Sequence, residues 1–272
     1  MCDSFFLLPL HTNCDKTIKI KLNKREMKQA YLKLLVAIIG MFCGVKAFAY
    51  DCEVDGIYYY RISATELEVA NKVFSDQNRS AYTGAVTIPP TVTYMGKTFN
   101  VVSIGEYAFR DCSSLTSVSI PSSVKSIKSF AFYNCSQVSN INIPASVTSI
   151  GMGAFEGCAT LAQMTIPNGV TTIGDEMFYG CTLLKSIVLP SSVTAIGSSA
   201  FSRCTSLISI YCLAASAPNC EDNAFDKVDR TWCTLYVAKG AKSYQDHDVW
   251  GDFFTEEFNG RIEDIPTQVA KP

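Results

Sequence analysis

Five cysteines recur at one spacing: Cys112, Cys135, Cys158, Cys181 and Cys204, each 23 residues after the last. Thiols can hold a metal, form disulfides or act as nucleophiles, and here the spacing chooses among these. A metal needs thiolates that converge on one point. A disulfide needs two Cβ atoms that approach each other with a dihedral near ±90°. A fixed step sets equivalent side chains in a row pointing one way, which suits neither. The column reads as a ladder of buried thiols acting as small apolar groups. Cys212, Cys220 and Cys233 stand outside it. In an exported chain they leave room for one disulfide, with Cys220–Cys233 among the pairings that sequence leaves open.

Other groups capable of chemistry are sparse. Histidine occurs at 2 positions, too few for a His-rich metal site. His247, between Asp246 and Asp248, would need a nucleophile nearby in space to act as an acid–base group; in a closing segment it reads as a surface residue. Asp175 and Glu176 are adjacent carboxylates. A glycosidase pair must face across the scissile bond, whereas neighbours at a chain corner face solvent. No Gly-rich phosphate cradle is present; many glycines instead follow a repeated Ile, at tight corners. These patterns predict a protein that is not an enzyme and has no metal or cofactor.

The elements that position these residues follow from the same step of 23. It is shared by Val101, Val124, Val147, Val170 and Val193, by Ile104, Ile127, Ile150, Ile173 and Ile196, and by Phe109, Phe132, Phe155, Phe178 and Phe201. Pro121, Pro144, Pro167 and Pro190 keep it too. Several columns in register define a repeat architecture. In each unit, alternation such as Val118 and Ile120 among polar residues predicts a half-buried strand. Proline ends the strand, because it has no N–H for a ladder. Val124 and Ile127 lead the return inward, and Ala131-Phe132 is placed in a short helical or 3₁₀-like turn. One coil cannot bury its apolar side alone, but stacked coils can. The prediction is an α+β repeat solenoid with a parallel β-sheet on one face, a Phe spine inside, and a cap at each end.

Residues 50–100 read as the N-terminal β cap, with strands at 56–62 and 66–69 and a hairpin over 93–99 turning near Gly96. Residues 101–213 hold five repeats, and 214–272 a C-terminal cap and tail. In that cap Thr234–Val237 reads as a last strand and Ala241–Asp248 as a short helix. Trp250, Phe253, Phe254 and Phe258 would give apolar cover, and the tail from Pro266 to Pro272 reads as loose.

Upstream, Lys24, Arg25, Lys28 and Lys33 precede a 12-residue apolar run, Leu34 to Val45, and then Ala47-Phe48-Ala49. The run is too short to span a bilayer, which takes about 20 helical residues, and the pattern is that of a secretory signal peptide. Residues 27–49 are read as the signal and 1–26 as an upstream over-extension of the start. Phe42 before Cys43 argues against a lipoprotein box, and beyond Gly260 no hydrophobic tail or wall-sorting motif is seen, so the mature chain is expected to lack a transmembrane anchor. The chain carries 23 basic and 25 acidic residues; eight and three of these fall in residues 1–49, leaving a mature net charge of -7. Such a balance excludes nucleic acid, which demands a basic patch.

The stretch Ile196-Gly197-Ser198-Ser199-Ala200-Phe201-Ser202-Arg203-Cys204-Thr205-Ser206-Leu207 closely resembles the signature of BspA-like leucine-rich repeats. The resemblance runs over about residues 84–258, departing mildly at Lys128 (for Gly) and Met177 (for Ala). Leu235 to Gly240, followed by Tyr244 and Trp250, resembles the family's closing segment. The resemblance implies a leucine-rich-repeat solenoid with an adhesion role, exported to the surface or released, or held in the periplasm, of a Gram-negative bacterium. The implied partners are a host matrix protein, a bacterial surface protein or a glycan.

The sheet face is the expected binding surface. One outward column is Ser117, Asn140, Gln163, Ser186 and Ser209; the other is Ser119, Asn142, Thr165, Val188 and Tyr211. Small amides and hydroxyls with an aromatic at one end suit a protein segment or a glycan, and Ser and Thr are equally ordinary solvent-facing strand residues. Two other roles stay open: a structural spacer, and a glycan-processing subunit.

Overall fold

The computed structural model describes residues 50–72, 82–238, 242–252 and 261–264, all within the unit Ala49–Pro272. The signal segment 27–49, the residues before it, Phe253, Phe254, Phe258 and the tail from Pro266 lie outside the described residues.

The first part holds β1 (Cys52–Val54), β2 (Ile57–Arg61), β3 (Glu66–Ala70), β4 (Gly84–Thr87), β5 (Thr91–Tyr94) and β6 (Lys97–Ile104). β1 to β3 form an antiparallel meander, and β5 with β6 is the hairpin expected there. Its turn needs two left-handed residues, Met95 at φ 50 and Gly96 at φ 74. From β3 onward pairing into the stack is parallel: β3 joins β6, and β6 joins the first repeat.

Each repeat then gives one longer and one shorter strand. The longer ones are β7 (Leu115–Ser119), β9 (Asn140–Asn142), β11 (Gln163–Thr165), β13 (Ser186–Leu189), β15 (Ser209–Cys212) and β17 (Thr234–Val237). The shorter are β8 (Ser126–Ile127), β10 (Ser149–Ile150), β12 (Thr172–Ile173), β14 (Ala195–Ile196) and β16 (Asn219–Cys220). Two ladder faces result, both parallel, because every coil runs in the same sense. On the long face β4-β7-β9 and β11-β13-β15-β17-β18 are two sheets; on the short face β6 leads to β8 and β10, with β12-β14-β16 apart. β18 (Arg261–Asp264) extends the long ladder beyond β17, an addition that the sequence did not suggest.

The α part of the expected α+β class is corrected: this is a β-solenoid of about six turns. The only α-helix among the described residues is α1 (Asp248–Gly251), with a 3₁₀ turn at Lys242–Tyr244. These two short pieces replace the single helix expected over Ala241–Asp248, of which Ala241 is not described. Of the two forms expected for the Ala131-Phe132 segment, the structure has the 3₁₀-like turn and not a helix, and its hydrogen bonds explain why. The amides of Phe130, Phe132 and Asn134 donate to Met152, Ala154 and Glu156 of the next coil, while those of Ala131, Tyr133 and Cys135 donate three residues back. A helix needs every amide for itself; here alternate ones are committed to the neighbour.

The core is made by the repeat columns. Phe109, Phe132, Phe155, Phe178, Phe201 and Phe225 are buried and stack nearly parallel, centroids 4.9, 5.5, 5.5, 5.4 and 5.2 Å apart. Offset stacking of this kind adds about 0.5–1.5 kcal/mol per pair to simple burial. Tyr82 packs on Phe109 at one end of the spine, and Trp250 meets Phe225 edge-on at the other.

Candidate functional site

The long-strand face carries the outward columns, in register within β4-β7-β9 and within β11-β13-β15-β17. Ser117 pairs with Asn140 and Ser119 with Asn142; Gln163, Ser186 and Ser209 follow in one column, and Thr165, Val188 and Tyr211 in the other. Alternation along each strand turns these side chains out while Val118, Ile141, Met164, Ile187 and Ile210 turn in. Ser119, Asn140, Asn142, Gln163 and Thr165 are exposed; Ser117, Ser186, Val188, Ser209 and Tyr211 are half-buried.

The columns are longer than the sequence showed. β4 adds Ala85 and Thr87, and β17 adds Thr234 and Tyr236. These lie 32 and 25 residues from their neighbours, so a search for a step of 23 misses them. The usable signal was the alternation Thr234-Leu235-Tyr236-Val237, with Leu235 and Val237 buried. Tyr236 stacks on Tyr211, rings 4.5 Å apart and 10° from parallel. The aromatic end of the face is thus a pair, not one ring. Leu183, Ile208 and Trp232, just before the strands of successive coils, are also exposed.

Two of the remaining candidates for chemistry, His247 and Asp175, are held in structural bonds. His247 caps α1: its Nδ1 accepts from the Val249 amide at 3.2 Å. Asp175 Oδ1 accepts from the Ser198 amide of the next coil at 2.8 Å. Burial, then the nearby Glu176 carboxylate, raises the Glu156 carboxyl. No group of three metal-ligating side chains occurs among the described residues.

Each ladder thiol is buried. Those of Cys135, Cys158, Cys181 and Cys204 donate to the carbonyls of Phe109, Phe132, Phe155 and Phe178 at 2.9, 3.3, 3.2 and 3.1 Å. Cys112, the first of the column, lies 3.8 Å from the Arg110 carbonyl. Burial pushes Cys158 and Cys204 up to about 12, away from the reactive thiolate. Cys212, Cys220 and Cys233 carry free thiols, so no Cys220–Cys233 bond is formed in this structure. Cys212 instead receives a hydrogen bond from the Tyr244 hydroxyl at 3.2 Å.

The family described as "BspA type Leucine rich repeat region" matches residues 102–230 in six copies. A leucine-rich repeat protein of T. pallidum is 31% identical, with a TM-score of 0.51, over 59% of this chain and 71% of that one. A leucine-rich repeat protein of Bacteroides ovatus is also 31% identical, with a TM-score of 0.48, over 69% of this chain; the match spans only 55% of that protein's length. A Faecalibacterium prausnitzii protein described as a leucine rich cell surface protein is 22% identical, with a TM-score of 0.41, over 69% of this chain and 70% of that one. No curated protein matches. The chain belongs to the BspA-type leucine-rich repeats.

Proposed function

We propose that the chain is an exported, non-catalytic binding protein that recognises a macromolecule on its long-strand face, with an adhesive role at the bacterial cell surface. The partner is a host matrix protein, another bacterial surface protein or a glycan. One observation carries this reading: two outward columns of small polar side chains follow the long strands, in register within each of the two sheets, and end in the stacked Tyr211–Tyr236 pair. Stacked repeats present extended surfaces suited to large partners.

Several features support the rest of the proposal. Among the described residues, the candidates Asp175 and His247 serve structural bonds, which favours binding over catalysis. Export rests on the basic flank, the apolar run and Ala47-Phe48-Ala49. No helix of the described residues is long and apolar enough to cross a membrane. The aromatic contacts at the ends of the Phe spine support a capping role for the two terminal segments: Tyr58 and Tyr82 before Phe109, Trp250 and Tyr244 after Phe225.

The test is a binding screen of the chain against immobilised matrix proteins and a glycan array, beside the variant Asn142→Arg, Thr165→Arg, Tyr211→Ser. Saturable binding lost in a still-folded variant is the expected result. Equal binding by both proteins would move recognition off this face. Absence of binding would favour a spacer, a reading supported by the plain Ser and Asn composition of β7 and β9.

A further inference from the structure

We infer that the stack contains a hinge, at the junction between the coil of residues 138–158 and the coil of residues 161–181, which opens on both strand faces about the turn side.

Every neighbouring junction is tied by the same backbone bonds. Before the long strand, Ser139 donates to Thr116, Lys185 to Ala162 and Ile208 to Lys185. Before the short strand, Lys125 donates to Val102, Thr148 to Lys125 and Thr194 to Thr171. After it, Lys128 donates to Ile104, Gly151 to Ile127 and Gly197 to Ile173. At the junction in question all three are missing among the bonds of the described residues: Ala162 to Ser139, Thr171 to Thr148, and Gly174 to Ile150. Nor does either ladder cross it, since β9 is not paired with β11, nor β10 with β12.

A side-chain ladder stops at the same place. The hydroxyls of Ser123, Ser146 and Ser192 each donate, at 2.7 Å, to the carbonyl of a Val in the preceding coil: Val101, Val124 and Val170. The equivalent residue here is Gly169, which has no hydroxyl to offer Val147. The coils also stand further apart. A Cβ on Gly151 would come within 2.4 Å of the Ser129 nitrogen and one on Gly197 within 2.7 Å of the Asp175 nitrogen, but one on Gly174 stays 3.5 Å from the Met152 nitrogen.

The turn side is intact. Gly153 donates to Asp175 at 2.9 Å, Phe155 to Met177 at 3.0 Å and Gly157 to Tyr179 at 2.8 Å. The Phe155 and Phe178 rings stack at 5.5 Å and 11°, like their neighbours. The axis of motion therefore runs along the turns and the Phe spine. Ala162 and Thr171 are exposed, so water satisfies their amides when the strand faces part.

Amide hydrogen exchange of the full-length chain tests this, read as protection factors at single residues. Ala162, Thr171 and Gly174 are expected to exchange at least about tenfold faster than Lys185, Thr194 and Gly197, and than Ser139, Thr148 and Gly151. Equal protection at the three sets overturns the hinge. A second measurement restores the missing hydroxyl with Gly169→Ser. The new Cβ would lie 2.8 Å from Thr148 Cγ2, so Thr148→Ser is added to make room and serves alone as the control. The double variant is expected to slow Thr171 and Gly174 toward their equivalents; a folded double variant with both amides still fast overturns the role of Gly169. If the double variant does not fold, the comparison of native amides decides by itself.

Discussion

The Cys135 thiol donates to the carbonyl oxygen of Phe109, 26 residues earlier, at 2.9 Å. The same bond recurs in the next three coils, so the cysteine column ties each coil to the one before it. The column also fills volume, and Val228 continues it in the following coil: its amide donates to Phe225 as that of Cys204 does to Phe201. The branched apolar group at that position predicts that volume outweighs the thiol bond. Cys158→Ala should cost about 2 kcal/mol through its cavity, and Cys158→Val less than about 1.5 kcal/mol. Urea unfolding measures both; a costlier Val variant would show that the bond dominates.

The same burial sets the alkaline limit of stability. The thiols of Cys158 and Cys204 rise from about 9 to about 12, and those of Cys135 and Cys181 are also raised. The folded chain therefore keeps protons that the unfolded chain releases. This contribution to stability is fully present below about pH 9 and falls as pH rises from about 9 to about 12. Urea midpoints at pH 6, 7.5 and 10.5 should be equal for the first two and lower at the third. Iodoacetamide should leave the column unlabelled in the native protein at pH 8.

Phe155 sits in the middle of the aromatic spine, fully buried between Phe132 and Phe178. Phe155→Ala should cost about 3–5 kcal/mol. Met95→Ala, at a residue 87% exposed, should stay within about 0.5 kcal/mol. Similar urea midpoints for the two variants would show that the spine does not hold the stack together.

Lys128 stands where the neighbouring coils have Gly105 and Gly151, and the structure supplies a reason. Its Nζ lies 2.5 Å from Glu68 Oε2 in β3, and the Ser103 hydroxyl donates to the same oxygen at 3.2 Å. The lysine is half exposed, so the pair is screened. Lys128→Gln should cost no more than about 1 kcal/mol, and the loss should shrink in 1 M salt. A loss that persists in 1 M salt would mean that the aliphatic stem, not the charge, matters.

The two tryptophans report on different places. Trp250 is fully buried, with its indole N–H donating to the Pro218 carbonyl at 2.8 Å, while Trp232 is 76% exposed. Acrylamide should quench one of two emission components. Trp232→Phe should remove that component and leave a blue-shifted, protected signal; quenching unchanged in the variant would place Trp250 in solvent.

Much of this protein is legible in the chain itself, because a fixed step of 23 residues forces equivalent positions to stack. The buried columns of Val, Ile, Phe and Cys and the outward pairs from Ser117/Ser119 to Ser209/Tyr211 follow from that step and strand alternation alone. Only the tertiary structure decided what depends on the neighbouring coil. Ala131-Phe132 is a turn and not a helix because alternate amides bond across coils. Tyr236 joins Tyr211 because β17 pairs in register despite a step of 25 residues. Lys128 is matched to Glu68, 60 residues away, by the fold of β3 onto the first repeat. Spacing determines which residues share a column. The distance between coils, and the partner each side chain finds across it, exist only once the stack is built.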